Sequence, residues 1–501
     1  MNTIIDLICT SVQRRGAETT LTYGDQSWSG LEVFDHIESA AALLSRHGAG
    51  RGKRVAIIAG DTPFTLFAFL GALRTGACVA PMSPSLTDDA LHAALKSCEP
   101  VIVVTDQPNA SRVPPGTVQP SQTLNLAAFM ERDGAAWRAH WPSLDDADPC
   151  TIIYSSGTTG TPKGIVHSHG VKLAQADMAC AQGIGASSVL MSVTPLYSNT
   201  TLVVLLPVLA AGGRIVMLGK FDAGTFLRIS ARERATTVIM VPVQYQRILD
   251  HEEFSDTDLD SYALKVSTGA PMAPRLKLAV AREWPGRFLE VYGSTEGDVS
   301  TLLDVTARPD KAETVGQAAP DFEVRVIDDA GEELPLGAIG ELVGRSPTMT
   351  DGYFRAADAT AELFWCDRNG ETFLRSGDLG SIDVDGFVTL HGRKKDMIIS
   401  GGFNIYAVDL EAVLEAHPDI VEAAVIAVPS KRWGETPAGY VVVQNARVTS
   451  DDILTYANEQ LGKTQRLASI VFCEALPRNA LGKILKKDLQ RDFIQKVGTL
   501  T

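Results

Sequence analysis

CTIIYSSGTTGTPKGIVHSHGVKLAQADMACA, Cys150 to Ala181, sets a short β-branched run (CTIIYSS) before a loop crowded with Gly, Ser and Thr, then a helical pattern (HSHGVKLAQADMACA). A strand feeding a helix in this way is one unit of an α/β layer. The same alternation fills the chain up to about residue 390: RVAIIAG then TPFTLFAFLGALRTG, VIVVTD, RIVMLG, TVIMVP then VQYQRILD, and FLEVYG. Between Phe322 and Leu390 it gives way to hairpins, FEVRVIDDAGEEL and GSIDVDGFVTLHGR, whose DAG and DG supply turn residues. The sequence therefore predicts a large N-terminal α/β domain over residues 1–392, with layered sheets and helices and a small β-subdomain. Downstream, AVDLEAVLEAH, VEAAVIAVP, GYVVV, DDILTYANEQL and SIVFCEAL predict a small α+β domain over residues 397–501, with residues 393–396, around KKD, as the linker.

Length and composition agree with two domains. A chain of 501 residues is too long for one hydrophobic core, and 45% apolar with 21% charged residues is ordinary for a globular protein. The net charge of -15 argues against nucleic-acid and anionic-membrane partners, which its field would repel. From Lys394 onward there are 13 basic and 13 acidic residues, so the acid excess lies upstream; Lys463 to Lys496 alone carries 8 basic against 3 acidic and suits a solvated basic helix or a site for phosphorylated ligands. Seven cysteines without a CxxC pair argue against a disulfide framework or zinc site and suit a reducing cytoplasm. MNTIIDLICTSVQRR lacks a basic start and is a poor signal peptide. TLVVLLPVLAA, Thr201 to Ala211, is too short to span a membrane and reads as core.

The loop GTTGTPKG invites comparison with the phosphate-wrapping GxxxxGK[ST] pattern and departs from it. Pro162 before Lys163 has no N–H to donate, and Gly164 after it has no hydroxyl. Ser155, Ser156, Thr158 and Thr159 still offer donors to a phosphate.

Four further segments follow in order: VYGSTEG (Val291 to Gly297), RSGDLG (Arg375 to Gly380), GRKKDMIISGG (Gly392 to Gly402) and PRNALGK (Pro477 to Lys483). Together with the loop they resemble the adenylate-forming superfamily, which contains acyl- and aryl-CoA synthetases, peptide-synthetase adenylation domains and luciferases. The resemblance runs from about residue 20 to 490. It implies attack of a carboxylate on the α-phosphate of ATP, with Ser155, Ser156, Thr158, Thr159 and Lys163 on the departing phosphates. It implies Glu296 toward Mg2+, and Tyr292 stacked on adenine beside the backbone of Gly269, Ala270 and Pro271, with Gly293, Ser294 and Thr295 also at the nucleotide. Asp378 would bind the ribose hydroxyls and Arg393 the ribose or a phosphate. Lys483 would supply positive charge as two anions approach.

For the thioester step the resemblance implies rotation of a mobile C-terminal domain about Lys395. A face bearing Gly401 and Gly402, with Trp433 nearby, would then pass the pantetheine arm of CoA; a tight turn is the other reading of the two glycines. The acid pocket would draw on Tyr197, Ser198, Asn199, Val241, Gly269, Met272, Gly293 and Gly297, a mostly neutral set. Two departures stand out. Ser198 occupies a position where CoA ligases of the family often place a histidine, and Thr464-Gln465 replace an aromatic–lysine pair. Neutral Asn199, where amino-acid-activating domains tend to place an aspartate, weakens the peptide-synthetase reading. The expected activity is an AMP-forming acid:CoA ligase acting on a monocarboxylic aromatic or medium-chain acid. A stand-alone enzyme loading a separate acyl-carrier protein and a non-catalytic acyl-adenylate binder are the alternatives, and a homodimer is left open.

Overall fold

The computed structural model describes residues 3–130, 141–155, 162–445, 447–463, 465–478, 483–498 and 500. Two compact units form, one of Met1–Glu313, Ala318–Glu323 and Gly344–Leu374, the other of Thr314–Gln317, Val324–Val343 and Arg375–Thr501.

In the first unit the strands Arg287–Gly293, Leu264–Ser267, Thr237–Met240, Val189–Ser192, Arg214–Met217 and Thr19–Tyr23 lie side by side and parallel in a nine-stranded sheet. Antiparallel neighbours, Ser300–Asp304 and Gln26–Ser29, flank that run. A six-stranded sheet runs Thr123–Asn125, Ile102–Thr105, Arg54–Ile58, Cys78–Pro81, Pro149–Ser155, Lys163–Ser168 and is parallel except for its last pair. One apolar cluster joins both sheets, through Val55, Ile57 and Val79 on one and Leu21, Leu190 and Ile215 on the other, to the helices Ile4–Arg15, Gly30–Arg46, Pro63–Arg74 and Asn199–Ala210. The last two helices are buried almost all round, which is why their sequences lack a polar stripe. Pro63 at the first position and Thr62, whose Oγ1 accepts the Thr65 N–H at 3.2 Å, start the first of them.

Across the opening stretch the sequence predicts a strand followed directly by a helix, and the structure sets a second strand between them. Lys163–Ser168 returns antiparallel to Pro149–Ser155, pairing Ser155 with Lys163 and Ile153 with Ile165, and only then does the helix His169–Ala181 begin, capped by Ser168. The β-branched Ile165 and Val166 favour extension. Gly164 permits it: a Cβ there would lie 2.7 Å from Ile152 Cγ2.

In the second unit GSIDVDGFVTLHGR forms the expected hairpin between Thr372–Ile382 and Val388–Arg393. FEVRVIDDAGEEL gives one strand, Glu323–Ile327, whose return is a single bridge from Ile327 to Glu333. Downstream, Ile420–Ser430 and Gly434–Val443 make a long antiparallel pair, joined by Ser469–Phe472 and the short hairpin Ile398–Ser400 and Phe403–Ile405. Alternate residues of VEAAVIAVP serve two cores. Ala423 and Val425 meet Leu410, Leu414 and Ile453 on one side, while Ala424, Ile426 and Val428 meet Leu489 and Phe493 on the other. The basic helix Lys486–Lys496 is thus half docked, with Leu489 and Phe493 buried and Lys486 paired to Glu411 at 2.6 Å. No helix of the described residues is long and apolar enough to cross a membrane, and all seven cysteines are free.

Candidate active site

Ser156, Thr158 and Thr159 lie outside the described residues, as does the Ser155 side chain. Lys163 opens the returning strand with its ammonium 4.8 Å from the centre of the Tyr353 ring. The Tyr353 hydroxyl donates to Glu296 Oε1 at 2.9 Å. Burial, and then the Glu296 carboxylate, push that hydroxyl's pKa upward, so it stays a donor. The YGSTEG segment around Glu296 is pinned on several sides. His167 Nε2 meets the Thr295 carbonyl at 2.7 Å, the Thr350 N–H donates to the Glu296 carbonyl at 2.8 Å, and the Ser346 hydroxyl donates to the Gly297 carbonyl at 2.7 Å. Gly297 has φ +76°, and a Cβ there would fall 2.1 Å from the Thr348 carbonyl oxygen; one at Gly293 would fall 2.7 Å from that of Val299. Tyr292, next to last in the strand Arg287–Gly293, is half-buried, and Ser294 donates to Asp298 at 2.6 Å.

After Leu264–Ser267, Gly269 turns with φ +86° and stands 3.5 Å, measured from a built Cβ, from Val241, followed by half-buried Ala270, exposed Pro271 and buried Met272. Ser198 is buried and caps the helix Asn199–Ala210, its Oγ accepting the Thr200 N–H at 3.2 Å. That cap accounts for a small hydroxyl residue at this position. The preceding Leu196 N–H is held by Asp61 at 2.7 Å, and burial pushes the Tyr197 hydroxyl's pKa upward.

In the second unit Asp378 and Arg393 are direct partners across the antiparallel strands, Oδ1 to Nε 2.9 Å. The linker begins in a 3-10 turn, Lys394–Asp396. Lys394 is clamped between Asp329 at 2.8 Å and Glu341 at 3.1 Å, and Glu341 also takes Arg375 at 2.9 Å. Lys395 beside it makes no ion pair among the described residues, and desolvation with the charge of Arg393 lowers its pKa. Lys483 is lowered to about 8, by desolvation first and then by Arg393 and Lys395, although its surface stays in contact with solvent. The two glycines of ISGG form the hairpin turn, Gly401 at φ +57° and Gly402 at φ +85°. Gly401 N–H donates to the Trp433 carbonyl at 3.0 Å, and a Cβ on Gly401 would reach within 2.7 Å of the Trp433 ring. The turn and the indole therefore explain Gly401. Gly402 faces open space, and Trp433 is itself 47% exposed under the Arg432 guanidinium, 4.5 Å away.

Two residues at the site carry no signal in the sequence. Tyr353 follows TDG outside every motif, and Lys172 sits in what reads as ordinary helix. Lys172 is 1% exposed and donates to Asn199 Oδ1 at 2.9 Å and Gln175 Oε1 at 3.1 Å.

A layered α/β unit and an α+β unit, carrying these motifs in this order, define an adenylate-forming enzyme. The chain belongs to the AMP-binding enzyme family: that family's model matches residues 9–354, and the model of the AMP-binding enzyme C-terminal domain matches residues 409–483. Its relatives include an indoleacetate–CoA ligase of Aromatoleum aromaticum, 28% identical over 96% of each chain. A feruloyl-CoA synthase of an Amycolatopsis species is 31% identical over 95% of this chain and 96% of the relative. Among solved structures, ATP-bound MatB from Rhodopseudomonas palustris superposes over 100% of both chains with a TM-score of 0.88 at 27% identity.

Proposed function

We propose that the protein is an AMP-forming acid:CoA ligase for a monocarboxylic aromatic or medium-chain acid, with residues 1–392 and 397–501 as its working domains and 393–396 as the pivot between them. The observation that carries the CoA step is the full-length likeness to relatives named as CoA ligases of aromatic acids. In the first step the acid's carboxylate oxygen bonds to the α-phosphorus of ATP and the bond to the bridging oxygen breaks, giving acyl-AMP and pyrophosphate. In the second, the thiol of CoA gives up its proton, its sulfur bonds to the acyl carbon, and AMP leaves.

Lys163, with Ser155, Ser156, Thr158 and Thr159, receives the departing phosphates in this reading, and Lys483 offsets the repulsion between carboxylate and α-phosphate. Glu296 fits Mg2+: one Oε atom is held by Tyr353 and the other has no described partner, which leaves a single hard oxygen ligand of the kind this ion takes along with phosphate oxygens and water. The ion would supply charge neutralisation at the phosphates. Tyr292, with the backbone of Gly269 to Pro271 and of Gly293 to Thr295, cradles the adenine, and Asp378 with Arg393 takes the ribose. Tyr197, Ser198, Asn199, Val241, Met272 and Gly297 line the acid site. Lys395, untethered beside clamped Lys394, is the pivot that brings Gly402 and Trp433 to the CoA arm. Seven unpaired thiols support a reducing, cytoplasmic location.

The test is pyrophosphate release over a panel of acids, with and without CoA, read together with thioester formation. Thioester in the presence of CoA supports the reading. Adenylate without thioester, discharged by a phosphopantetheinylated carrier protein, would replace CoA as acceptor, and tight acyl-AMP binding without turnover would leave a binding protein.

A further inference from the structure

Lys172 is placed at the meeting of two segments assigned to the acid site. On one side is Asn199, first residue of the helix Asn199–Ala210 and next to Tyr197 and Ser198, whose amide oxygen takes one ammonium proton at 2.9 Å. Gln175, one helical step on, takes a second at 3.1 Å. Both acceptors are neutral amides. An ammonium has three protons to give, and among the described residues the third has no acceptor and the charge has no carboxylate partner. Within reach of its charge is His167, fully buried, whose Nε2 meets the Thr295 carbonyl of the YGSTEG segment at 2.7 Å. That bond requires the proton on Nε2, so Nδ1 presents a lone pair, and it is buried without a partner. Burial, and next the charge of Lys172, hold this ring neutral.

The remaining ionisable neighbour is Cys150, on the adjoining strand, and burial pushes its thiol up to about 12. It is no counter-ion. Burial lowers Lys172 only to about 8, so the ammonium form prevails at neutral pH. A buried cation whose hydrogen bonds are two-thirds met and whose charge is unmatched is costly, and the cost falls when an oxygen acceptor, above all an anionic one, is brought to it.

We infer that Lys172 forms a subsite at the far end of the acid pocket and selects acids that carry an oxygen acceptor, a second carboxylate or a hydroxyl or carbonyl, away from the reacting carboxyl group. This rests on the acid-ligase reading above and goes beyond its monocarboxylic substrate, since the pocket's other residues supply no charge.

The experiment compares matched acids in the pyrophosphate-release assay: phenylacetate with its 4-hydroxy and 4-carboxy forms, and octanoate with octanedioate. The expected result for the unmodified protein is a kcat/KM at least about tenfold higher for the oxygen-bearing member, as a hydrogen bond to a charged group commands. The two phenyl forms separate a neutral acceptor from an anionic one. In Lys172→Met the ratio between members falls to near one, and in Lys172→Gln, which keeps polarity without charge, the carboxylate preference goes first. Turnover of plain acids with no preference for their oxygenated partners overturns the subsite and leaves the ligase standing. Equal loss on both kinds of acid in a variant whose thermal melt matches the parent assigns Lys172 to structure alone. Absence of pyrophosphate release with every acid would remove the ligase reading and the subsite with it. Should both variants fold poorly, thermal stabilisation of the unmodified protein by octanedioate but not octanoate decides the matter.

Discussion

The Tyr353 hydroxyl holds Glu296 at 2.9 Å while the face of the same ring lies 4.8 Å from the Lys163 ammonium. One aromatic residue thus fixes both a carboxylate suited to Mg2+ and a cation suited to phosphate. Glu296→Gln is expected to raise KM for Mg-ATP by more than about tenfold, and Tyr353→Phe by roughly threefold to tenfold, because a hydrogen bond to a charged group is lost. KM for CoA should stay within experimental error in both. Steady-state kinetics with each substrate varied in turn checks this, and a change confined to CoA would contradict the assignment.

Lys483 titrates near 8 because desolvation and two neighbouring cations disfavour its charged form. The ammonium is the form adenylation needs, so pyrophosphate release should be flat below that pH and fall as pH rises through it. Lys483→Ala should abolish adenylate formation and spare thioester formation from supplied acyl-AMP. Lys483→Arg should remove the alkaline fall, since a guanidinium stays charged. A pH–rate profile of the first half-reaction that keeps its alkaline limb in the arginine variant would assign the limb to another group.

Lys394 is held by two ion pairs and Lys395 by none among the described residues, the freedom that the proposed pivot needs. Proline fixes φ near -65° and removes the N–H. Lys395→Pro should therefore separate pyrophosphate exchange into ATP from thioester formation, retaining whichever pose proline permits, while Lys394→Pro should separate them less sharply. Equal losses in both assays for Lys395→Pro, in a variant with normal circular dichroism, would remove the pivot.

Lys265 is fully buried and donates to three carbonyls in succession, Trp284 at 2.7 Å, Pro285 at 2.5 Å and Gly286 at 2.7 Å. Lys265→Met would leave those oxygens without donors, at a cost of roughly 3 kcal/mol. Urea denaturation should register a lower midpoint with the slope unchanged.

Periodicity carried the parallel strands and the amphipathic helices, and motif order carried the family. The strand Lys163–Ser168 was hidden because its neighbours in sequence are turn formers on one side and a helix on the other, so the run of β-branched residues is too short to stand out. Tyr353 and Lys172 were invisible for another reason. Each acts through a partner far along the chain, Glu296 and Asn199, and a single sequence carries no signal for such pairs. The Gly401-Gly402 pair was legible as a turn or a passage, and the structure places both residues in the hairpin turn, with only Gly401 closed in by the Trp433 ring.

Glu341 belongs to no motif, yet its nearly buried carboxylate secures Arg375 and Lys394 together. With Lys395 as the proposed pivot, this carboxylate is the brake shoe that keeps rotation from spreading backward along the linker. A joint confined to one residue turns on two backbone dihedrals, so the atoms downstream reach few addresses; a joint smeared over two residues turns on four and scatters them. The accuracy with which Lys483 and Gly402 take turns would then be owed to an acid that neither meets substrate nor lies in any segment a motif search would select.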